Sequence, residues 1–443
     1  VTSLTAPLSP TLLTSLIFGL LVLVNLLLRL WLASRQMRAV AAHRARVPAQ
    51  FAGSVALDAH QRAADYTLAK LRFGLLELAL GAAVLLGWTL LGGLDWLNGA
   101  LLALLGARQP LWQPLALLAA FAFINGLIDL PASLYQTFVI EQRFGFNKMT
   151  LGLWLADLLK GALLGIVIGV PLAALVLWLM QVTGGWWWLW TWGAWMAFSL
   201  LMMVIYPMFI APLFNKFQPL QDEALSARVT RLMARCGFAA KGLFVMDGSR
   251  RSAHANAYFT GFGAARRVVF FDTLLTQLTP PEVEAVLAHE LGHFKRRHIT
   301  KRIAGLFVFS LAALALLGAL MRQDWFYAGL GVTPNLPPAL GGGVPNHALA
   351  LLLFLLAAPV VTFFLAPLTA LLSRRHEFEA DAYAAAQTSA RDLSSALVKL
   401  VQDNASTLTP DALYVRFYYS HPPAGERIAR LDALPPPKLP DLS

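Results

Sequence analysis

Seven stretches of this chain, each roughly 20 residues or longer, are apolar enough to cross the hydrocarbon core of a bilayer. They run over 12–33, 71–91, 111–130, 151–180, 186–207, 303–321 and 348–372. A helix satisfies its own backbone hydrogen bonds, which is the condition for lying in lipid. Composition points the same way: 58% of the 443 residues are hydrophobic and 13% charged, against about a quarter charged in soluble domains. A soluble enzyme, a disordered chain and a nucleic-acid arm are thereby excluded. The net charge of +11 belongs to loops at a membrane rather than to nucleic acid. With Cys236 as the only cysteine, no intrachain disulfide is expected.

The first stretch lacks the basic n-region of a signal peptide and exceeds the length of an h-region, so it reads as a retained span. The chain opens on Val1, which suggests that a few residues were trimmed ahead of it. Arg35, Arg38, Arg44, Arg46, Arg62 and Lys70 gather after span one, whereas the loops at 181–185 and 322–347 carry almost no net charge. The segment 214–302 adds Lys216, Arg228, Arg231, Arg235, Lys241, Arg250, Arg251, Arg266, Arg267, Lys295, Arg296 and Arg297. By the positive-inside bias, the N-terminus faces out, while the large loop and the C-terminus face the cytoplasm. Four regions follow: 1–213 with spans one to five, 214–302 as a catalytic loop, 303–372 with spans six and seven, and 373–443 completing the site.

Within the loop, 243–247 and 267–272 read as short strands, β-branched or aromatic and bounded by Gly. Pro280 and Pro281 open a helix, favoured by Glu282 and Glu284 in its first turn, that should run towards Thr300. Helices are also expected over 373–387 and 390–402, before a proline-rich end.

The first of these helices carries His289-Glu290-Leu291-Gly292-His293. A spacing of four sets both imidazoles on one helical face, where they can share a metal, with the carboxylate between them beside a water on that metal. A catalytic zinc takes three protein ligands and keeps one position open. Glu377 is the third candidate, because spans six and seven form a hairpin that leaves just after the His pair and returns just before Glu377. One zinc per chain is therefore expected, with Glu290 as the base that takes a proton from water and passes it to the leaving amine. Asp381, four residues after Glu377, lies on the same face and is placed to accept the free ring N–H of His289 or His293. Glu379 falls on another face and reads as solvated, and His376 reads as a bystander. Asp157 and Lys160, three apart in span four, are spaced to pair with each other, and Glu77 and Asp129 are candidates for a polar network or cavity lining. Trp186 to Trp188 read as an interfacial belt, and Lys295 to Arg297 as a surface anchor.

At these residues the chain resembles the type I CAAX prenyl endopeptidases, membrane zinc proteases with seven spans. The resemblance includes Phe144-Gly145-Phe146-Asn147-Lys148, then Asp157 and Lys160, and Pro212-Leu213-Phe214-Asn215-Lys216-Phe217. It continues through Arg251-Ser252-Ala253-His254-Ala255-Asn256-Ala257-Tyr258, the Glu377 to Asp381 segment, His421-Pro422 and Arg427. These run in order from about residue 70 to 430, nearly the whole chain. The resemblance implies a mainly α fold: a polytopic membrane protein with seven transmembrane helices and a gluzincin-like cytoplasmic metalloprotease domain holding a short β-sheet. It implies that Asn256 lies on the strand that receives the substrate backbone, a form of strand addition. It places His421 near the scissile carbonyl, where a donor steadies the oxyanion. Arg427 would orient that region or bind the substrate's carboxylate.

The activity implied is hydrolysis near the C-terminus of prenylated CAAX-type peptides, with a lipidated or membrane-resident substrate and no nucleic acid partner. The compartment would be a bacterial inner membrane or the endoplasmic reticulum, depending on source. Two other readings stand beside it: a membrane-protein quality-control protease with no prenyl requirement, and a non-enzymatic seven-helix protein with structural zinc. A site-two type protease is disfavoured, because the His pair is flanked by charge and the third ligand is a glutamate.

Overall fold

A computed structural model describes residues 8–106, 111–238, 242–260, 267–334 and 346–434. Among them, seven helices are long and apolar enough to cross a bilayer: Pro10–His43, Leu57–Trp88, Trp112–Glu141, Leu151–Val182, Gly184–Phe214, His298–Leu320 and His347–Gln387. Each contains or overlaps one of the seven expected stretches. Their outward faces carry large apolar side chains such as Leu163, Phe209, Val308 and Leu355, all more than 60% exposed. Such a surface is a liability in water and the normal condition in lipid. Several helices outrun their apolar stretches. The first two extend past the bilayer-length core, where Val40, Ala64 and Leu68 pack together.

The sequence reading did not anticipate the short apolar helix Gly93–Leu105. Its Leu94 and Leu97 join a buried cluster with Trp88, Leu117 and Leu349 at one end of the bundle. Ser15 donates to the Gly329 carbonyl at 2.8 Å, so the start of span one lies beside the connection between spans six and seven. At the other end, Arg35 makes a bidentate pair with Asp411 at 3.2 and 2.9 Å, and Gln402 donates to the Ser54 carbonyl. The loop after span one, the large loop and the C-terminal helices thus share one side.

The soluble part is built on a four-stranded sheet. Its strands are β1 (Phe217–Pro219), β2 (Leu243–Met246), β3 (Ala257–Thr260) and β4 (Arg267–Phe271), in the spatial order β1-β2-β4-β3. The two anticipated strands, β2 and β4, pair in parallel, and β1 and β3 add antiparallel edges. Val268 and Phe270 of β4 are buried in one core with Val283, Leu287 and Leu291 from the helix Pro280–Lys295. Leu393 and Ala396 from the helix Ala390–Asp403 complete that core. Lys241 and Arg266, counted in the charge argument, and the proline-rich end beyond 434 lie outside the described residues.

Two expectations need correction. The helix opened by Pro280 ends at Lys295 and not near Thr300, because Arg297 adopts φ +56° and turns the chain into a new helix at His298. The helix expected over 373–387 is present and ends at Gln387, with its start earlier, at Ala366. Asp157 and Lys160 do not pair. Asp157 instead accepts two bonds from Arg251 at 2.8 and 3.0 Å, and Lys160 donates to the Leu213 carbonyl. A guanidinium from the soluble part reaches the span-four carboxylate with the bidentate geometry an ammonium cannot match. Arg251 also donates to Asn215 at 3.1 Å, which ties the sheet domain to the exit of span five.

The helices Pro280–Lys295 and Ala366–Gln387 approach closely at Gly292. A Cβ there would meet the Ala380 Cα at 3.0 Å, its carbonyl oxygen at 3.1 Å and the Tyr383 Cβ at 3.2 Å. Replacement of Gly292 by Val should therefore push the helices apart at a cost of about 1–3 kcal/mol, as overpacking does. A thermal melt checks this, and an unchanged midpoint would show that the contact yields freely.

Thr279 and Glu282 form a capping box at the start of the same helix. Glu282 is buried and accepts from Ser395 and from Lys399, each at 2.7 Å. Burial alone would raise its pKa, but the bonds from Lys399, Ser395 and Thr279 outweigh that and hold it down to about 2. Its stabilising effect should be complete at neutral pH and fade as pH falls from the ordinary 4.5 towards about 2. The stability gap between wild type and Glu282→Gln should accordingly narrow on acidification. A gap that stayed constant with pH would contradict this.

Candidate metal centre

The one-turn spacing of His289 and His293 puts their Nε2 atoms 3.2 Å apart. The helix Ala366–Gln387 lies against them and supplies Glu377. Its Oε2 is 3.5 Å from His289 Nε2 and its Oε1 is 3.3 Å from His293 Nε2. Tetrahedral ligation with bonds of about 2.0–2.1 Å sets ligand atoms about 3.3–3.4 Å apart. The three side chains stand at that spacing before any ion is considered. Among the described residues they are also the one group of three or more His, Cys, Asp or Glu able to share a metal.

A second observation supports the fit. Glu377 Oε2 is buried and accepts no hydrogen bond, and the nearest cation, Arg427 Nη1, stays 3.7 Å away, so the oxygen is left for a closer positive partner. Two neutral imidazoles and a carboxylate are a hard-to-borderline donor set that suits zinc. His289 reports the same field. Burial pulls its pKa down, but Asp381 and Glu377 outweigh this and push it up to about 9. The pocket therefore favours a positive charge between these groups.

Asp381 Oδ1 lies 2.8 Å from His289 Nδ1. Arg427 donates to Asp381 from Nε at 2.8 Å and from Nη2 at 2.6 Å, while its Nη1 is 3.7 Å from Glu377 Oε2. Arg427 is itself buried, and its pairing with Asp381 overcomes the cost of burial and raises its pKa. With Asp381 accepting at Nδ1, His289 leaves Nε2 free to ligate.

Glu290 is half-buried and makes no hydrogen bond or ion pair with any described residue. His421 is exposed at 66% of its side chain, with Nε2 3.5 Å from Glu377 Oε1.

Asn256 immediately precedes β3 and is exposed. Its carbonyl accepts from Phe271 N at 3.0 Å, and its side chain caps Ala257 N at 2.8 Å. The preceding residues are pinned: Asn404 Oδ1 accepts from Ala255 N and contacts His254 Nδ1, and His254 stacks on Phe146 at 4.4 Å. Among the described residues β3 is the last strand in the sheet, and none of them adds a strand to its outer edge.

Glu379 departs from its solvated reading. Its side chain is 48% exposed, but Oε2 lies 3.0 Å from His298 Nε2. His376, read as a bystander, stacks on the ring of His298 with centroids 4.0 Å apart. Glu77 lines a cavity of about 320 Å³ between spans one, two and seven, together with Asn25 and Arg29. Of the groups at the site, His298 is the one the sequence reading passed over. Its only signal was a third histidine five residues after the pair, just ahead of a span.

Residues 36–216 match a family model described as CAAX prenyl protease N-terminal, five membrane helices, and residues 219–434 match Peptidase family M48. CAAX prenyl protease 1 homolog of Oryza sativa subsp. japonica is 37% identical over 394 residues, covering 87% of this chain and 90% of that protein. CAAX prenyl protease 1 of Saccharomyces cerevisiae is 36% identical over 341 residues, covering 72% of each. The crystal structure of S. mikatae Ste24p superposes with a TM-score of 0.87 at 30% identity, over 97% of this chain and all of that one.

Proposed function

Because this chain belongs to the CAAX prenyl protease family of M48 membrane metalloendopeptidases, we propose that it uses zinc held by His289, His293 and Glu377 to hydrolyse peptide bonds near the C-terminus of prenylated CAAX-type substrates. The observation that carries the site assignment is the 3.2–3.5 Å spacing of the three ligand atoms, with a buried carboxylate oxygen that accepts no hydrogen bond. The substrate class is supported by relatives named for CAAX prenyl cleavage.

The chemistry supplied by zinc at such a site is Lewis acidity, which polarises a carbonyl and makes water acidic enough to attack near neutral pH. Glu290 accepts the proton that the attacking water gives up, then delivers it to the nitrogen of the leaving amine as the C–N bond breaks. Its lack of any other partner leaves the carboxylate available for both transfers. His421, exposed and 3.5 Å from Glu377, donates to the carbonyl oxygen as negative charge builds there. The outer edge of β3 at Asn256 receives the substrate backbone as an added strand. Arg427 takes the orienting rather than the carboxylate-binding role, because its guanidinium is committed to Asp381. Arg35, Arg38, Arg44 and Arg46 lie on the same side as the site, which supports a cytoplasm-facing centre.

The test is cleavage of a farnesylated CAAX peptide and its unprenylated twin by detergent-purified protein. Release of the C-terminal tripeptide from the farnesylated peptide alone is expected. Equal rates on both would remove the prenyl requirement, and no cleavage of either would overturn the substrate class.

A further inference from the structure

The two histidines of the centre are held differently. His289 Nδ1 faces a buried carboxylate, Asp381, at 2.8 Å. His293 Nδ1 faces no carboxylate. It lies 3.1 Å from Nδ1 of His298, whose Nε2 lies 3.0 Å from Glu379 Oε2. We propose that His298 and Glu379 are positioning residues that hold His293 in the orientation and tautomer needed to bind the metal. This rests on the reading of His289, His293 and Glu377 as ligands.

Proton placement follows from the contacts. A neutral imidazole has one ring proton, and a His293 that ligates through Nε2 must carry it on Nδ1. That N–H then donates to His298 Nδ1, which must be bare, so the His298 proton sits on Nε2 and donates to Glu379 Oε2. Every donor in this order meets an acceptor, and the chain ends on a carboxylate. The reverse order would put a proton on His293 Nε2, the atom turned towards His289 and Glu377, and ligation would be blocked.

The local fold fixes His298 for this task. The left-handed turn at Arg297, φ +56°, starts a new helix at His298 instead of continuing the old one. The ring is 3% exposed and lies flat on His376, 11° from parallel. Glu379 comes from the same helix as Glu377 and Asp381 but from its opposite side, two residues from each. One helix therefore supplies a ligand, the carboxylate that holds His289, and the carboxylate that holds His293 through an imidazole.

Zinc affinity and the visible spectrum of the cobalt-substituted full-length protein test this, since a merely structural contact would move neither. His298→Phe removes the acceptor and should weaken zinc binding about 10–100-fold, as loss of an outer partner of a ligating histidine does. The cobalt bands should shift, and kcat should fall with KM unchanged. His298→Asn places an amide oxygen near the former Nδ1 and should recover most of the affinity. Glu379→Ala changes a half-exposed residue and should weaken binding even if His298→Phe fails to fold. Wild-type affinity and an unshifted cobalt spectrum in Glu379→Ala and in a folded His298→Phe would overturn the proposal. His293→Ala separates the two levels: if it kept wild-type zinc affinity, the ligand assignment itself would fall.

Discussion

Replacement of Glu290 by Gln should cut peptide hydrolysis by about 10²–10⁴-fold, the range general-base catalysis contributes, and should leave the metal bound. Gln is nearly isosteric but takes up no proton at neutral pH. The ligand atoms of His289, His293 and Glu377 meet without Glu290, which is half-buried beside them and bonded to none of the described residues. Activity should therefore vanish from a protein with full metal content and an unchanged melt. Activity close to wild type would remove Glu290 as the base. Loss of metal would place it among the ligands.

Glu377→Ala has the opposite signature. It deletes the anionic ligand and leaves two imidazoles 3.2 Å apart. Affinity for zinc should drop by more than the roughly 10–100-fold that loss of an outer partner costs, and activity should fall with occupancy. The change also leaves Arg427, with its Nη1 3.7 Å from the lost carboxylate, in a more positive pocket that disfavours any dication. Metal content after dialysis reads this directly. A retained equivalent of zinc would take Glu377 out of the ligand set.

Much of this molecule is legible in its sequence. Spans declare themselves because lipid demands long apolar helices, and the hairpin of spans six and seven brings Glu377 back to the His pair by topology alone. Not every short piece is legible. β1 has three residues, ends on a proline and holds no β-branched side chain, so it lacks the composition that marks β2 and β4. The helix Glu223–Arg235 is marked in the sequence by helical spacing, with Leu225, Val229, Leu232 and Met233 on one buried face. Gly93–Leu105, at 13 residues, is too short to be recognised as a span.

The site shows the same division. Residues one helical turn apart, such as His289 with His293 and Glu377 with Asp381, follow from helix geometry. Glu379 is two residues from each carboxylate and so points away from both, which is why it read as solvated. It meets His298 only because the chain reverses at Arg297, a left-handed turn at a residue other than glycine or asparagine, which sequence pattern does not announce. Asp157 paired with Arg251, 94 residues away, instead of its helical neighbour Lys160, since proximity along one helix does not set the stronger bidentate partner.

The most direct measurement is an anomalous difference map collected at the zinc edge from crystals of the zinc-loaded protein. One peak per chain is expected, about 2.0–2.2 Å from His289 Nε2, His293 Nε2 and a Glu377 oxygen, with no fourth protein atom bound. A peak elsewhere, or one closed by a fourth side chain such as His421, would contradict the catalytic centre proposed for this membrane protease.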